Sequence, residues 1–193
     1  IGVIVALVVM LLTGYAFLVA KPNLPKISAL TDYNPKTPLR IYTADKVLIG
    51  EFGEERRKVI PLDEIPLSMR NAVLAIEDDR FYSHGGVDYV GILRAALTNL
   101  RGHLSQGAST ITMQVARNFF LSNEKTFSRK IYEVLLAWEI ESQLTKDKIL
   151  EIYMNQIFLG QRAYGFSSAA QIYFGKELKD ITIAESAMLA GLP

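Results

Sequence analysis

Glu77 is the first residue whose position suggests acid–base chemistry. It lies four residues after Val73 in a predicted helix, so it shares the apolar stripe of that helix. A carboxylate that is partly removed from water takes up a proton more readily and can act as a general base or acid near neutral pH. The alternative is a solvated acid at a helix end, beside Asp78 and Asp79. The loop that follows, Phe81 to Gly86, combines aromatic, polar and glycine residues that can line a cleft.

A second group of polar residues follows a glycine turn at position 107. Ser109 is the predicted N-cap of the next helix. Donor side chains then recur at helical spacing and form one polar stripe, made by Thr110, Gln114, Arg117 and Asn118. Such donors suit phosphate or sugar oxygens, and the positive end of a helix attracts anions. The alternative is an ordinary capped amphipathic helix whose polar stripe faces water.

Basic residues concentrate between positions 101 and 130. This segment holds the single acid Glu124 against five bases, which are Arg101, Arg117, Lys125, Arg129 and Lys130. Arg129 and Glu133 are four residues apart and share a helix face, which favours a surface ion pair. Alternatively, the cations bind a pyrophosphate while Glu133 holds a divalent cation or orients the bases.

An apolar run, Phe119-Phe120-Leu121, lies just before these charges. It could belong to the core, or it could dip into lipid if the domain sits at a membrane.

The overall composition excludes several classes of protein. The formal net charge is only +1, which gives no basis for binding nucleic acid through bulk charge. The chain has no cysteine, so disulfides and thiolate chemistry are absent. His84 and His103 lack the clustered partners that a metal site needs.

The elements that would position these residues begin with an uncharged stretch, Ile1 to Ala20. It is long enough to cross the roughly 30 Å hydrocarbon layer of a bilayer and predicts a transmembrane helix. Residues 21–60 predict a proline-rich linker and a β-hairpin pedestal. Helical periodicity over residues 61–193 predicts a mainly α domain, whose last helix starts with a capping box at Thr182 and Glu185. The chain stops directly after that helix, which suggests that the domain continues beyond it.

Taken together, these segments resemble the glycosyltransferase family 51 domain of class A penicillin-binding proteins and monofunctional peptidoglycan glycosyltransferases. The anchor and hairpin further resemble the start of the type-one class A proteins of Gram-negative bacteria. Five blocks occur in the family's order between Ile65 and Pro193. They are Glu77-Asp78 with Phe81, His84, Gly85 and Asp88; Gly107 to Asn118; Arg129-Lys130 with Glu133; Lys148 to Glu151 with Tyr153 and Asn155; and Ala184-Glu185 with Ala187 to Pro193.

The resemblance implies a lysozyme-like helical lobe and a small membrane-associated lobe, with the active cleft between them. It places the chain in the bacterial inner membrane as a single-pass protein, with its catalytic domain in the periplasm. The implied partners are lipid II, the growing glycan strand, the lipid bilayer, moenomycin-type inhibitors and cell-wall assembly proteins, and nucleic acid is not among them. No organic cofactor is implied, whereas Mg²⁺ or Mn²⁺ could bind through Glu133.

The resemblance also implies a role for each matching residue. Glu77 would remove the proton from the acceptor 4-hydroxyl, and Glu133 would be a second essential acid on the donor side. The implied substrate-binding residues are Asp78, Phe81, His84, Ser109, Thr110, Gln114, Arg117, Asn118, Lys125, Arg129 and Lys130. The reaction would be a single inverting displacement that releases undecaprenyl pyrophosphate and forms a β-1,4 linkage.

Two other functions remain open at this point. A lytic muramidase with a lysozyme-like lobe could use one catalytic glutamate to cleave finished glycan. A membrane-anchored scaffold for cell-wall assembly proteins would need no catalytic residue at all.

Overall fold

Helices dominate the computed structural model, which describes residues 2–31, 39–53, 56–100, 109–121 and 126–193. The predicted mainly α fold is confirmed. The chain divides into two units, each built from two segments. Unit 1 contains Ile1–Thr31 and Phe81–Thr145, and unit 2 contains Asp32–Arg80 and Lys146–Pro193.

The N-terminal segment of unit 1 differs from the predicted transmembrane helix over residues 1–20. Helix α1 covers Gly2–Gly14, and the backbone then continues as a π-helix over Tyr15–Ala20 and a 3₁₀ turn over Lys21–Asn23. Among the described residues, no helix is both long enough and apolar enough to cross a membrane. The segment predicted as one transmembrane helix is thus divided into three helical pieces in this structure, because an apolar composition does not reveal where i to i+4 hydrogen bonding gives way to i to i+5.

The residues after this turn are also less extended than the predicted linker. A short helix, α2, covers Ser28–Thr31, and Ile27 and Leu30 are only 3% and 1% exposed. These two apolar side chains anchor the segment by burial. Residues 32–38, which include two of the prolines, lie outside the described part of the chain.

The predicted β-hairpin is confirmed in unit 2. Strands β1 (Leu39–Tyr42) and β2 (Leu48–Phe52) pair antiparallel. Within the turn, the Thr43 Oγ1 accepts a hydrogen bond from the Val47 backbone N at 2.9 Å. A second pair is parallel and joins β3 (Arg56–Arg57) to β4 (Ala163–Tyr164).

Unit 1 is organised by the packing of α5 (Ile111–Phe120) against α6 (Phe127–Gln143). Met113 and Ala137 meet in a buried cluster between these helices. Residues 111–116 are all buried, so the first half of α5 is enclosed on every side. Its side chains therefore have fixed positions.

Helix α4 (Tyr89–Leu100) is far less enclosed. Two of its large apolar side chains, Leu93 and Leu97, are 61% and 50% exposed, whereas Ala95 is buried. The buried face of this helix is therefore not the one that carries these leucines.

The helices of unit 2 are α3 (Leu67–Glu77), α7 (Lys146–Gln156), α8 (Phe166–Phe174) and α9 (Ile183–Ala190). Helix α3 packs against α9 and buries Met69 and Val73. The capping box predicted for α9 is confirmed, because the Thr182 and Glu185 side chains each bond the other's backbone N–H.

Asn155 on α7 ties a distant segment of unit 2 to this helix. Its Oδ1 accepts a hydrogen bond from the Ile60 backbone N at 2.9 Å, and its Nδ2 donates to the Ile60 O at 2.8 Å. Glu151 supports the same segment, because its Oε2 accepts from the Leu62 backbone N at 3.0 Å. The segment that leads into α3 is thereby fixed by α7.

Candidate active site

Glu133 lies in the second turn of α6, and the way this helix begins decides which charges surround it. Thr126 caps the helix because its Oγ1 accepts a hydrogen bond from the backbone N of Arg129 at 3.2 Å. The Arg129 Nε lies 3.2 Å from Glu133 Oε1, and the Lys130 Nζ lies 2.8 Å from Glu133 Oε2. Each carboxylate oxygen therefore faces its own cation.

Burial distinguishes this charged trio, Arg129, Lys130 and Glu133, from an ordinary surface ion pair. Glu133 is 1% exposed, whereas the side chains of Arg129 and Lys130 are 17% and 45% exposed. A carboxylate is costly to bury unless charges of opposite sign compensate it. Two cations and one carboxylate leave an excess positive charge, and the start of the helix adds a partial positive charge. The surface-pair interpretation is therefore wrong, and the trio can attract an anion.

Lys130 also joins α6 to the residue that precedes α5. Its Nζ donates a hydrogen bond to the Ser109 Oγ at 2.9 Å. The predicted N-cap of α5 is consequently wrong by one residue. Thr110 caps the helix instead, since its Oγ1 accepts from the Met113 backbone N at 3.2 Å and donates to the Gly86 O at 2.6 Å.

The predicted polar stripe of α5 does not simply face water. Thr110 and Gln114 are only 2% and 6% exposed. Arg117 is half-buried, and Asn118 is exposed. The stripe thus runs from a buried start to an accessible end, so Arg117 and Asn118 are more accessible to a ligand than Thr110 and Gln114.

Two hydrogen bonds of unit 1 that the sequence did not predict connect these elements. The Thr112 Oγ1 donates to Glu141 Oε1 on α6 at 2.6 Å, and the Thr110 hydroxyl reaches the Gly86 O. Gly86 has φ +87°, and a Cβ there would lie 2.9 Å from the Ala137 O, whereas a Cβ at Gly85 would meet nothing within 4 Å. The only sequence signal of this close approach is the Gly-Gly pair itself.

Glu77 is the last residue of α3 in unit 2. Its side chain is half-buried, and Asp78, which ends the helix, is 7% exposed. The Asp78 backbone N donates to the Leu74 O at 3.0 Å. Neither carboxylate is therefore the freely solvated acid of the alternative interpretation.

The loop after this helix end begins the second segment of unit 1 with a 3₁₀ turn over Phe81–Ser83. Phe81 is 1% exposed and contacts two other rings edge to face, those of Tyr82 at 5.2 Å and His84 at 6.3 Å between centroids. Phe81 is thus a packing residue in this structure, while His84 is half-buried at its edge.

The apolar run at the end of α5 is partly exposed to solvent. Phe119, Phe120 and Leu121 are each half-buried, and the two phenylalanine rings lie 6.1 Å apart. The run is therefore neither a sealed core nor fully exposed. Lys125, the remaining predicted substrate-binding residue, lies outside the described residues, as do Arg101 and His103.

Glu133 is a poor ligand for the divalent cation that the sequence suggested. Both of its oxygens already face cations, so a metal ion would have to displace Arg129 or Lys130. The described residues also contain no group of three or more histidines, aspartates and glutamates that could hold a metal ion. The residues present therefore do not fit a divalent cation at Glu133.

Comparison with known proteins agrees with the five ordered blocks. Penicillin-binding protein 1A of Neisseria gonorrhoeae is 59% identical over 183 residues, which cover 94% of this chain and 23% of that protein. Penicillin-binding protein 1A of Pseudomonas aeruginosa is 54% identical over 179 residues, which cover 92% of this chain and 22% of that protein. This chain thus spans less than a quarter of the length of these relatives.

A crystal structure of penicillin-binding protein 1A from Haemophilus influenzae is also similar in sequence. The match is 29% identical, covers 83% of this chain and 14% of that chain, and has a TM-score of 0.39. The family model described as Transglycosylase matches residues 45–193, which is most of the chain. The chain therefore belongs to the Transglycosylase family, as the ordered blocks predicted.

Proposed function

We propose that this chain polymerises lipid II into β-1,4-linked glycan strands as a peptidoglycan glycosyltransferase. Membership of the Transglycosylase family supports the reaction class. The observation that carries the proposal is the charged trio on α6, in which a buried carboxylate holds two cations and leaves an excess of positive charge. Such a site suits a reaction whose leaving group is a pyrophosphate.

The trio would act on the donor side of the reaction. As the bond between the anomeric carbon and the pyrophosphate oxygen breaks, its electron pair passes to the pyrophosphate. Arg129 and Lys130 stabilise that charge, and Glu133 keeps both cations in place while the leaving group is absent. Arg117 and Lys125 supply further positive charge, a role that rests on the family resemblance.

Glu77 would act on the acceptor side as the general base. It takes the proton of the acceptor 4-hydroxyl while that oxygen attacks the anomeric carbon, so the product has the inverted configuration. Its half-buried position at the end of α3 supports this role, because a carboxylate partly removed from water accepts a proton more readily.

The remaining predicted residues fall into two groups, those that contact the substrate and those that hold the site in place. We assign Gln114, Asn118 and His84 to substrate positioning, together with Asp78. Ser109 and Thr110 instead support the site, because their hydroxyls already bond Lys130, Met113 and Gly86. Phe81 is likewise assigned to packing, since it is 1% exposed.

The surroundings of the reaction are part of the same proposal. A lipid-linked substrate requires a membrane, so we place the catalytic residues at the outer face of the bacterial inner membrane, in the periplasm. The half-buried Phe119, Phe120 and Leu121 would touch the bilayer there. Inhibitors of the moenomycin type, which imitate the donor, would bind the charged trio. The fold would combine a lysozyme-like lobe with a smaller membrane-associated lobe.

Incubation with lipid II tests the function directly. The wild-type chain should produce longer glycan strands, and Glu77→Gln should reduce their rate of formation by about 10²–10⁴-fold without unfolding, because an amide cannot accept the proton. Shorter strands made from finished glycan would indicate a muramidase. Failure of the wild-type chain to form strands would leave only a scaffold role, whereas full activity in both Glu77→Gln and Glu133→Gln would refute the roles assigned to these two residues. A chelator control shows whether a divalent cation contributes.

A further inference from the structure

Three segments of unit 1 meet beside the second half of α6. Val87, which follows the loop Phe81 to Gly86, packs with Met113 on α5 and Ala137 on α6 in a buried apolar cluster. Glu141 lies one turn after Ala137 on the same helix and is half-buried. It follows Glu133 by eight residues, which is roughly 12 Å along the helix axis. Glu141 therefore belongs to this junction and not to the charged trio.

The carboxylate of Glu141 contacts the first turn of α5. Thr112 is the second residue of that helix and is 0% exposed, and its Oγ1 donates a hydrogen bond to Glu141 Oε1 at 2.6 Å. A buried hydroxyl is costly without a partner, and the positive end of a helix favours a negative charge beside it. The sequence predicted that this end of α5 attracts a ligand anion. In the structure, a carboxylate of the chain itself lies there.

The aliphatic stem of Glu141 contacts the loop. A Cβ added at Gly86 would lie only 3.1 Å from Glu141 Cγ, so the backbone of this glycine lies directly against the stem. The Gly86 O also accepts a hydrogen bond from Thr110 Oγ1 at 2.6 Å, and the same hydroxyl accepts from the Met113 backbone N at 3.2 Å. One side chain of α6 thus contacts the loop with its stem and α5 with its carboxylate.

We propose that Glu141 is a positioning residue for polymerisation, because it holds the loop that carries His84 at a fixed distance from the helix that carries Gln114. The inference rests on the proposed function, which assigns His84 and Gln114 to substrate positioning. Groups that align reacting substrates tolerate little displacement, and an error of about 1 Å can lower a rate by about 100-fold. Glu141 does not touch the substrate in this role. It acts through Thr112 and Gly86.

Glu139 on the same helix provides a matched control. Its Oε1 accepts a hydrogen bond from Gln143 Nε2 at 2.8 Å, four residues along α6. This bond connects two residues of one helix, whereas the Glu141 bond connects α6 to α5. Loss of the Glu139 carboxylate should therefore leave the loop and α5 in place.

The test measures kcat and KM for lipid II elongation by the full chain in lipid nanodiscs, expressed per folded molecule. Glu141→Ala should lower kcat by about 10–100-fold and leave KM nearly unchanged, because the binding groups remain present but are misaligned. Glu141→Gln should restore most of the activity, since its amide oxygen can still accept from Thr112 and its stem can still contact Gly86. Glu139→Ala should behave as the wild type.

Thr112→Val provides a second route to the same answer, also if Glu141→Ala does not fold. It removes the hydroxyl and keeps a side chain of similar shape, so kcat should fall in the same direction. The double variant should be no slower than Glu141→Ala alone, because two residues that act as one unit do not have additive effects. Additive losses would show that Glu141 does not act through Thr112 and would overturn the inference.

Hydrogen exchange without substrate separates this inference from the proposed function. Backbone amides of residues 84–87 and 110–113 should exchange faster in Glu141→Ala than in the wild type, while those of α7 in unit 2 should not change. Faster exchange with an unchanged kcat would reduce Glu141 to a structural role and overturn the inference. An equal loss of kcat in Glu141→Gln and Glu141→Ala would do the same. A wild-type chain that does not elongate lipid II, with faster exchange in Glu141→Ala, would refute the proposed function and keep the connection that Glu141 makes.

Discussion

Acidic side chains are neutralised differently in the two units. In unit 1, Glu133 is almost completely buried and faces two cations at once. In unit 2, three described ion pairs are accessible, with side chains that are between 20% and 50% exposed. These pairs are Lys58–Glu177, Lys148–Glu151 and Lys176–Glu185.

The difference shows which charges can serve a ligand. An exposed one-to-one pair is already balanced and contributes little to stability, typically about 0–1 kcal/mol. The trio on α6 contains two cations and one carboxylate, and that carboxylate is enclosed, so it holds its cations in fixed positions. A count of ion pairs would treat the two units alike. The two units differ in how far the carboxylate is buried and in how many cations face it.

The largest effect should follow from Glu133→Gln. Polymerisation should fall by at least about 100-fold, because Arg129 and Lys130 lose the carboxylate that positions them. The free energy of unfolding should also fall, though by less than the roughly 3–5 kcal/mol of a broken fully buried pair, since Lys130 is partly exposed. Lipid II turnover and urea unfolding measure the two effects.

The matched control for that variant is Glu177→Gln, which removes the carboxylate of an exposed pair in unit 2. It should leave both turnover and unfolding nearly unchanged. If the two variants behaved alike, the contrast between the units would have no functional meaning.

Asn155→Ala tests whether the polar contacts in unit 2 stabilise the fold without taking part in catalysis. Three hydrogen bonds of the Asn155 side chain would be lost, which should lower the free energy of unfolding by about 2–3 kcal/mol. Turnover per folded molecule should be retained at low temperature. Asn71→Ala, at an exposed position of α3, is the control and should change stability by no more than about 0.5 kcal/mol.

The double variant Arg117→Gln with Lys130→Gln tests whether the positive charge of unit 1 binds the donor. Affinity for a moenomycin-type inhibitor should fall at least tenfold, or about 1.4 kcal/mol. The salt dependence of binding should flatten as well, because two screened charges are removed. Titration at two salt concentrations measures both quantities. An unchanged affinity would mean that the donor site lies elsewhere.

The smallest effect concerns Glu185 in unit 2. The hydrogen bond from Lys176, assisted by the backbone N–H of Thr182, lowers the pKa of the Glu185 carboxyl below its ordinary value. A pKa that is lower in the folded chain stabilises the fold above the unfolded pKa of roughly 4.3, and this contribution is lost as the pH falls through the folded value. Thermal melts from neutral to about pH 3 should therefore show a slightly flatter pH dependence for Glu185→Gln.

Features that depend on neighbours in the sequence were predicted well. The capping box of α9 joins Thr182 to Glu185, three residues apart, and the hairpin turn joins Thr43 to Val47. In each case a few consecutive side chains determine the local hydrogen bonds. The sequence pattern was therefore sufficient.

Features that depend on distant partners were not predicted. Ser109 is a good N-cap by type, yet its hydroxyl accepts from Lys130, 21 residues away, and Thr110 caps the helix instead. The burial of Glu133 also depends on distant residues. Helical spacing places Glu133 beside Arg129 but does not show which face of α6 is enclosed. Family resemblance identified both residues without explaining their surroundings.

Gly85, which the family block includes, and its neighbour Gly86 should tolerate substitution very differently. Gly86 has a positive φ and presses against the backbone of α6, whereas a side chain at Gly85 would meet open space. A library that randomises both codons, selected for viable cells, should recover many amino acids at position 85 and return glycine at position 86. Selection should therefore preserve the glycine codon at position 86, which the close approach of this loop to α6 requires. The codon at position 85 can change without affecting that approach.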